Sequence, residues 1–329
     1  MAQVTDNPTL QNQINAGTKG RKRGHSYEST ITDRLNKLSM PYKTNGKISS
    51  YLVKGQPELI LINKVMDFCG WDDCCELQAF STGRLATAEN GKKEVSIDGV
   101  SLRECKSDVI IKLKNKNGES KIVGVSVKQC NNRIPTNAQV FFSTASAFYN
   151  LVIGSGFKLS EKALVAMRQF CGDSGFRPID VEDCSNRIST PERYFWEEID
   201  ERGRMEWEEL FSSHQDEITR ILLQKGYAGD PFPPQVILHK TKKSTSNDEE
   251  IAIFTMDEFI QLSHAYSPFE NSIYHVKKGR YKEPKGVEHL APRFGVVQMQ
   301  RGGQKQHPTQ LQFNLKAGYF YHAPFSNNE

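Results

Sequence analysis

Three charged side chains stand where a two-strand hairpin and a helix would bring them together. Asp108 begins an apolar stretch that predicts a strand, and Lys128 ends the next such stretch, with the turn sequence Asn117-Gly118 between them. Antiparallel pairing through this turn places the outer ends of the two strands side by side. Glu28 lies three residues before Ile31 on a predicted helix, so it borders the core-facing stripe of that helix.

This combination of side chains suits metal-assisted phosphodiester hydrolysis. Two carboxylates supply oxygen ligands of the kind that Mg²⁺ prefers. The metal polarises a phosphoryl oxygen and makes a bound water a better nucleophile. A lysine beside them orients that water or neutralises charge that develops at phosphorus. Taken one at a time, the same residues also fit ordinary structural roles: a turn aspartate, a strand-end lysine that protects a sheet edge and a salt-bridged helix glutamate.

The hairpin residues resemble the core of the PD-(D/E)xK nucleases. Ser107-Asp108 followed by 124–129, Gly-Val-Ser-Val-Lys-Gln, is similar to the variant of that core with Ser in place of the second acid, known among type II restriction endonucleases. The resemblance implies that Asp108 is the central metal ligand and Lys128 the catalytic lysine. It also implies that the peptide oxygen of Val127 is a further ligand to Mg²⁺.

The chain departs from the family pattern at Ser126, which replaces the second acid. Restriction enzymes of this variant supply a replacement acid shortly after the lysine, but residues 129–160 contain no Asp or Glu. The segment 20–28, basic and punctuated by glycine, resembles the opening of archaeal Holliday-junction resolvases, in which a Glu on the first helix completes the metal site. The missing carboxylate is therefore expected from Glu28, with Glu104 as the alternative.

The net charge of +4 over 329 residues hides a strong segregation of charge. Residues 178–217 hold 13 Asp/Glu against 4 Arg, a net charge of −9, whereas residues 277–316 have a net charge of +7 and residues 1–50 of +5. Basic blocks of this kind indicate a surface that faces a polyanion, and ordinary solvated faces are the alternative. Polar runs within or beside basic segments are candidate DNA contacts: Arg21, Lys22, Arg23, Asn131, Arg133, Gln139, Arg301, Gln304 and Lys305.

Hydrophobic periodicity predicts an α+β protein with an α/β core, a mixed sheet of the restriction-endonuclease-like kind flanked by helices. A flexible arm is expected at 1–20 and the catalytic core at 21–175. An acidic helical insert and a basic, β-rich recognition region follow at 176–329, either separate or continuous with the core. Among the individual elements, residues 141–153 are predicted to be helical, and 190–192, Thr-Pro-Glu, to begin a long helix that breaks near Gly203.

Composition bounds the function further. No apolar run approaches the length of about 20 residues that a membrane span needs, and seven cysteines, an odd number, favour reduced thiols in a cytoplasm. The sequence thus predicts a Mg²⁺-dependent endonuclease that cuts double-stranded DNA, with a type II restriction enzyme as the preferred subtype and a homodimer expected from palindromic sites. The alternatives are a structure-specific repair or recombination nuclease and a non-catalytic nucleic-acid-binding protein.

Overall fold

The computed structural model describes most of the chain in two compact units. Described residues up to 138 form the first unit together with 223–260, and 139–222 form the second with 261–315. The described ranges are 24–48, 50–83, 85, 94–129, 138–181, 191–225, 230–241, 248–263, 269–274, 287–295, 297–301 and 310–315, without the side chains of 138, 269–274, 287–289, 291, 294 and 301.

The helices within these ranges are short to medium in length. Residues 24–35 are helical and are named α1. The others, in chain order, are α2 (Pro57–Cys69), α3 (Ala145–Gly154), α4 (Glu161–Cys171), α5 (Pro178–Val181), α6 (Glu201–Ser213), α7 (Gln215–Gln224) and α8 (Met256–Ser263). None of these described helices is long and apolar enough to cross a membrane.

The strands of the first unit are β1 (Tyr42–Lys43), β2 (Leu52–Gly55), β3 (Asp73–Cys74), β4 (Glu76–Ser81), β5 (Val95–Ile97), β6 (Val100–Leu102), β7 (Val109–Lys114), β8 (Ser120–Gln129), β10 (Pro234–Lys240) and β11 (Glu249–Thr255). Those of the second are β9 (Ala138–Thr144), β12 (Phe269–Tyr274), β13 (Val287–Phe294), β14 (Val297–Arg301) and β15 (Gln310–Leu315).

A six-stranded mixed sheet forms the centre of the first unit. Its strand order is β2-β11-β10-β8-β7-β4. The predicted hairpin of β7 and β8 is confirmed, since these strands pair antiparallel and Gly118 takes a positive φ of 83° in the turn. β10 pairs parallel with β8, and the other neighbours pair antiparallel. β8 therefore lies in the middle of the sheet, where β7 pairs with it as far as Val125 and β10 pairs with it as far as Gln129.

The core of the first unit lies between this sheet and two helices. Ile31 and Leu35 of α1 and Leu61 and Val65 of α2 are fully buried in one cluster with residues of β7, β8, β10 and β11. A second cluster joins the β5–β6 hairpin to Ile110 of β7. Strand side chains alternate between the two faces of a sheet, so helices cover one face and the small hairpin packs on the other. The mixed sheet flanked by helices confirms the predicted α+β class.

The second unit packs helices on a sheet with the order β12-β13-β14-β15-β9. Aromatic side chains form its core: Phe148 of α3 stacks on Trp207 of α6 with ring centroids 5.2 Å apart and lies 4.8 Å from Phe313 of β15. The Trp207 indole N–H donates to the Ala163 carbonyl of α4 at 2.8 Å. The predicted antiparallel pairing of β14 with β15 is confirmed.

The helix predicted over 141–153 is wrong in its first part. β9 continues to Thr144, whose hydroxyl accepts from the Ala147 N–H at 3.2 Å and caps α3. Phe141 packs on Phe313 with centroids 5.8 Å apart, while its neighbour Phe142 is 57% exposed. That alternation belongs to a strand, and the β-branched and aromatic run before the cap favours one.

The helix predicted to start at Pro191 is also wrong. Pro191 lies in a turn, and α6 begins ten residues later at Glu201, after a 3₁₀ turn at Trp196–Glu198. Asp200 supplies the cap, because its carboxylate accepts from the Gly203 N–H at 3.0 Å. The predicted break at Gly203 occurs instead at His214, between α6 and α7.

Gly203 continues the helix because α6 passes very close to α4 at this point. A Cβ at Gly203 would overlap the Lys162 carbonyl and lie 2.8 Å from the Ala166 side chain. Only glycine lets the two helix backbones approach this closely.

Candidate active site

Asp108 directly precedes β7, and one of its carboxylate oxygens gathers three donors. Oδ2 accepts from the Ser126 hydroxyl at 3.2 Å, from the Val127 N–H at 2.7 Å and from the Lys128 ammonium at 3.0 Å. The Lys128 side chain is 22% exposed and that of Asp108 19%. The predicted meeting of Asp108 and Lys128 at the end of the hairpin is therefore present, in a partly open setting.

The backbone around Asp108 is fixed from two sides. Its N–H donates to the Val125 carbonyl of β8 at 2.9 Å, and its own carbonyl accepts from Thr82 at 3.0 Å and Gly83 at 3.3 Å, after β4. The preceding Ser107 is 1% exposed, and its hydroxyl donates to the Phe232 carbonyl at 2.7 Å. The carboxylate thus projects from a segment that is anchored to its neighbours on both sides.

Glu28 is buried against Gly83, whose N–H donates to the Asp108 carbonyl. It lies on α1, is 6% exposed, and has one oxygen 3.3 Å from His25 Nδ1. A Cβ at Gly83 would overlap a Glu28 carboxylate oxygen, lie 2.8 Å from Cδ of Glu28 and lie 3.1 Å from His25 Nδ1. Because the Gly83 N–H donates to the Asp108 carbonyl, Glu28 and Asp108 flank one short stretch of backbone.

Glu104, the alternative second acid, is exposed on the connection before Asp108. Glu28 therefore fits the role of second carboxylate better, since its position depends on a contact that only a glycine at position 83 permits. The assignment of Glu28 as a ligand stays a prediction.

The donor set suits a hard divalent cation. Among the described residues, every hydrogen bond of the Asp108 carboxylate falls on Oδ2, which leaves Oδ1 available. The N–H and carbonyl of one strand residue face the same side, so the Val127 carbonyl faces the side on which its N–H meets Asp108. Two carboxylates and a peptide oxygen are ligands that Mg²⁺ accepts. In the described part of the chain, no group of three or more His, Cys, Asp or Glu side chains could hold a metal, so such a site needs peptide oxygens and water as well.

Ser126 stands where the nuclease pattern that the sequence resembles has its second acid, and this serine is 6% exposed. In place of a second negative charge it contributes a hydroxyl that donates to Asp108. The serine at this position thus makes a contact that orients the Asp108 carboxylate.

Sequence reasoning missed Lys106, a second lysine at the site. The Lys106 N–H donates to Asp230 Oδ2 at 2.7 Å, and Asp230 also accepts from the Phe232 N–H at 3.0 Å, which ties this segment to the chain entering β10. Burial, and then the charge of Lys128, lowers the pKa of Lys106 to about 8. The only signal in the sequence is a lysine two residues before the aspartate.

His239 is a second residue that the sequence did not single out. It is 1% exposed on β10 and pairs in register with Lys128 on the parallel neighbour β8. Burial, and then the charge of Lys128, lowers the pKa of His239 to about 3. A neutral imidazole at this position adds no second positive charge beside Lys128.

A buried polar cluster anchors α1 one residue before Glu28. The Tyr27 hydroxyl donates to Glu249 Oε2 at 2.5 Å, and the other Glu249 oxygen lies 3.1 Å from the Lys240 ammonium. That ammonium also lies 5.4 Å from the centre of the Tyr27 ring. Burial, and then the hydrogen bond to Glu249, raises the pKa of Tyr27 well above its usual value. The cluster joins the start of α1 to the adjoining ends of β10 and β11.

Two of the predicted DNA contacts lie in the second unit. Gln139 is exposed near the start of β9, and Arg301 ends β14 in register with Leu311. The other candidates lie outside the described residues: Arg21, Lys22, Arg23, Asn131, Arg133, Gln304 and Lys305.

Comparison with known proteins identifies a similar solved structure but no similar sequence. No protein-family model matches the chain, and no curated protein matches its sequence. A solved structure of the restriction endonuclease MspI in complex with its cognate DNA is similar to the chain, with a TM-score of 0.49 and 12% identity over 92% of each chain. These comparisons establish neither a family nor an activity.

Proposed function

We propose that the chain is a Mg²⁺-dependent endonuclease that hydrolyses phosphodiester bonds in double-stranded DNA, and that it acts as a type II restriction enzyme. One observation carries the proposal: three donors of β8, including Lys128, converge on a single oxygen of Asp108, while Glu28 is buried against Gly83, whose N–H donates to the Asp108 carbonyl. The resemblance to the PD-(D/E)xK core implies that this cluster binds a metal and hydrolyses phosphodiester bonds.

In this proposal Asp108, Glu28 and the Val127 carbonyl hold the metal. When bound, Mg²⁺ polarises a phosphoryl oxygen and lowers the pKa of a coordinated water. Ser126 and the Val127 N–H keep the Asp108 carboxylate in one orientation, because both donate to the same oxygen. A carboxylate whose orientation is fixed in advance loses less entropy when it binds a cation.

Lys128 has two successive roles in this scheme. Without the metal it neutralises Asp108 through a 3.0 Å contact. With substrate bound, the ammonium orients the attacking water or offsets the charge that develops on the phosphoryl group. Lys106 and Lys128 add positive charge around the anionic phosphate. His239 is neutral and adds none.

The subtype follows from how the DNA is cut. We expect that phage DNA incubated with Mg²⁺ gives discrete fragments whose mapped ends share one sequence, and that EDTA abolishes the reaction. Cleavage restricted to junctions or flaps would favour a repair or recombination nuclease. Binding without cleavage under all conditions would favour a non-catalytic DNA-binding protein.

A contaminating nuclease is excluded with matched variants. Asp108→Asn keeps the shape of the side chain but removes a proposed metal ligand, so the fragments should disappear. Asp73→Asn is the control, because Asp73 pairs with Lys116 at 2.9 Å on the surface of the same unit. Purified alongside the wild type, this control should give an unchanged fragment pattern.

A further inference from the structure

Along β14 and β15, one face of the second unit's sheet carries carboxamide side chains. In β14 and β15, Gln298 pairs with Asn314 and Gln300 with Gln312. The alternate residues, Val297, Met299, Leu311, Phe313 and Leu315, are at most 2% exposed and form the apolar face. The four amide residues, together with Gln310, lie on the opposite face, where the glutamines are partly exposed.

Hydrogen bonds hold part of this row in place. The Asn314 amide donates to Gln300 Oε1 at 3.1 Å, and the Gln300 amide donates to Gln298 Oε1 at 3.1 Å. Each amide offers two N–H donors and one carbonyl acceptor. Most of these donors and acceptors therefore make no hydrogen bond within the described residues. Within the described residues the Gln312 side chain takes part in no hydrogen bond.

We propose that this amide face reads base edges in the major groove of duplex DNA, with a preference for A·T pairs. This inference rests on the proposed function, because it names the residues that would select the site at which the nuclease acts. The side-chain amides of Gln and Asn match adenine, which presents an acceptor at N7 and a donor at N6 on its major-groove edge.

The spacing of the amides suits stacked bases. Residues two apart in a strand repeat at about 6.8 Å, and base pairs stack at about 3.4 Å. Gln310 and Gln312 therefore repeat once for every two base pairs along a groove, while Asn314, which is 8% exposed, holds Gln300 by its hydrogen bond.

Two neighbouring features favour the same ligand. Phe142 on β9 is 57% exposed, and since Phe141 packs on Phe313 of the apolar face, Phe142 lies on the amide side. An exposed ring there offers apolar contact to a thymine methyl group. In addition, residues 277–316, which include β13 to β15, carry a net charge of +7, which attracts a polyanion.

The test is selection from a pool of randomised duplexes, with Ca²⁺ in place of Mg²⁺ to suppress cutting. We expect the wild type to enrich one motif that contains A·T pairs. Gln312→Ala should lower the discrimination at one of those positions by about 5- to 150-fold and leave affinity for unselected DNA nearly unchanged. Gln300→Ala should do the same, with a loss of thermal stability that reports its role in the hydrogen-bonded row.

Gln78→Ala is the matched control, because Gln78 is an exposed strand amide on β4 of the first unit. It should retain the wild-type motif and its full discrimination. If Gln312→Ala and Gln300→Ala also retain both, the amide face does not read bases. Enrichment of a motif made only of G·C pairs by the wild type would likewise overturn the inference.

The failure of this inference can be told apart from the failure of the proposed function. A wild-type protein that cuts DNA in Mg²⁺ but enriches no motif would overturn base reading and leave the nuclease intact. If Asp108→Asn still cuts, the assigned active site is wrong, whereas enrichment of the A·T motif by the same variant supports base reading all the same.

Discussion

The position of Glu28 depends on residue 83 being glycine, which has no side chain. A methyl group there would overlap the Glu28 carboxylate, so Gly83→Ala should displace Glu28 from the stretch that holds Asp108. We expect the affinity for Mn²⁺, measured by calorimetric titration, to fall by about 10- to 100-fold, as for other changes that disturb the setting of metal ligands.

Gly154→Ala is the control for that substitution. Gly154 ends α3, and a Cβ there would meet nothing within 4 Å. Cation affinity should be unchanged in this variant. Equal cation affinity in Gly83→Ala and the wild type would show that Glu28 does not bind the cation.

His239 predicts a pH dependence of stability. Its pKa in the folded protein is about 3, below the ordinary value of 6.5. Between these values the unfolded chain binds the proton and the folded chain does not, so falling pH favours unfolding by about 1.4 kcal/mol per pH unit from this group. His239→Gln removes the effect, and its stability relative to the wild type should improve from pH 6.5 towards pH 4.

Urea unfolding curves at several pH values measure this difference. Other groups titrate in the same range, but they are common to the wild type and His239→Gln, so the comparison isolates one histidine. Stabilities of the two proteins that run parallel across this range would mean that His239 takes up protons equally well in the folded state.

At the scale of elements, the attachment of α1 decides where Glu28 lies. Tyr27→Phe removes only the hydroxyl that donates to Glu249. A hydrogen bond to a charged acceptor contributes about 1.5–3 kcal/mol, so the variant should unfold at a lower temperature. Because the first turn of α1 is then less firmly held, we also expect weaker binding of Mn²⁺.

Tyr42→Phe separates the two effects. The Tyr42 hydroxyl donates to Asn63 Oδ1 at 3.2 Å in the same unit, so its removal should lower the melting temperature alone. If Tyr27→Phe binds Mn²⁺ as tightly as Tyr42→Phe does, the cluster around Glu249 stabilises the fold without positioning the site.

Local patterns predicted the elements that carry the site. The β-branched run of β7, the turn at Asn117-Gly118 and the run of β8 gave the hairpin, and the stripe of Ile31 and Leu35 gave α1. The two incorrect helix predictions also rest on local patterns. Phe141 and Phe142 directly precede a helix, so their spacing also fits a helical period although they belong to a strand. Pro191, which fits a helix start, lies in a turn.

Contacts that depend on distant pairing could not be predicted. The parallel pairing of β10 with β8 brings His239 beside Lys128, and the bonds of Asp230 hold Lys106, across more than 100 residues of sequence. No spacing rule links such residues, because the register of two distant strands is set by the packing of the whole sheet. The contact of Glu28 with Gly83 could not be predicted for the same reason, because it joins residues that are distant in sequence.

At the scale of the whole molecule, segregated charge predicts a salt-dependent affinity for DNA. The segment Arg21-Lys22-Arg23 adds to the net charge of +5 in residues 1–50. Replacing these three side chains by Gln should weaken binding to every duplex. The log–log slope of affinity against salt should flatten by about 0.9 for each phosphate that the variant no longer neutralises. A slope equal to that of the wild type would show that the cluster does not touch DNA.

In the proposed function, Asp108 is the metal ligand around which the site is built. The most direct test is the single-turnover rate of DNA cleavage in Mg²⁺ for the wild type, Asp108→Asn and the control Asp73→Asn. We predict that Asp108→Asn loses at least about 10²-fold in rate while it still binds DNA, and that Asp73→Asn cleaves as the wild type does. Cleavage by Asp108→Asn at close to the wild-type rate would show that Asp108 does not hold the catalytic metal.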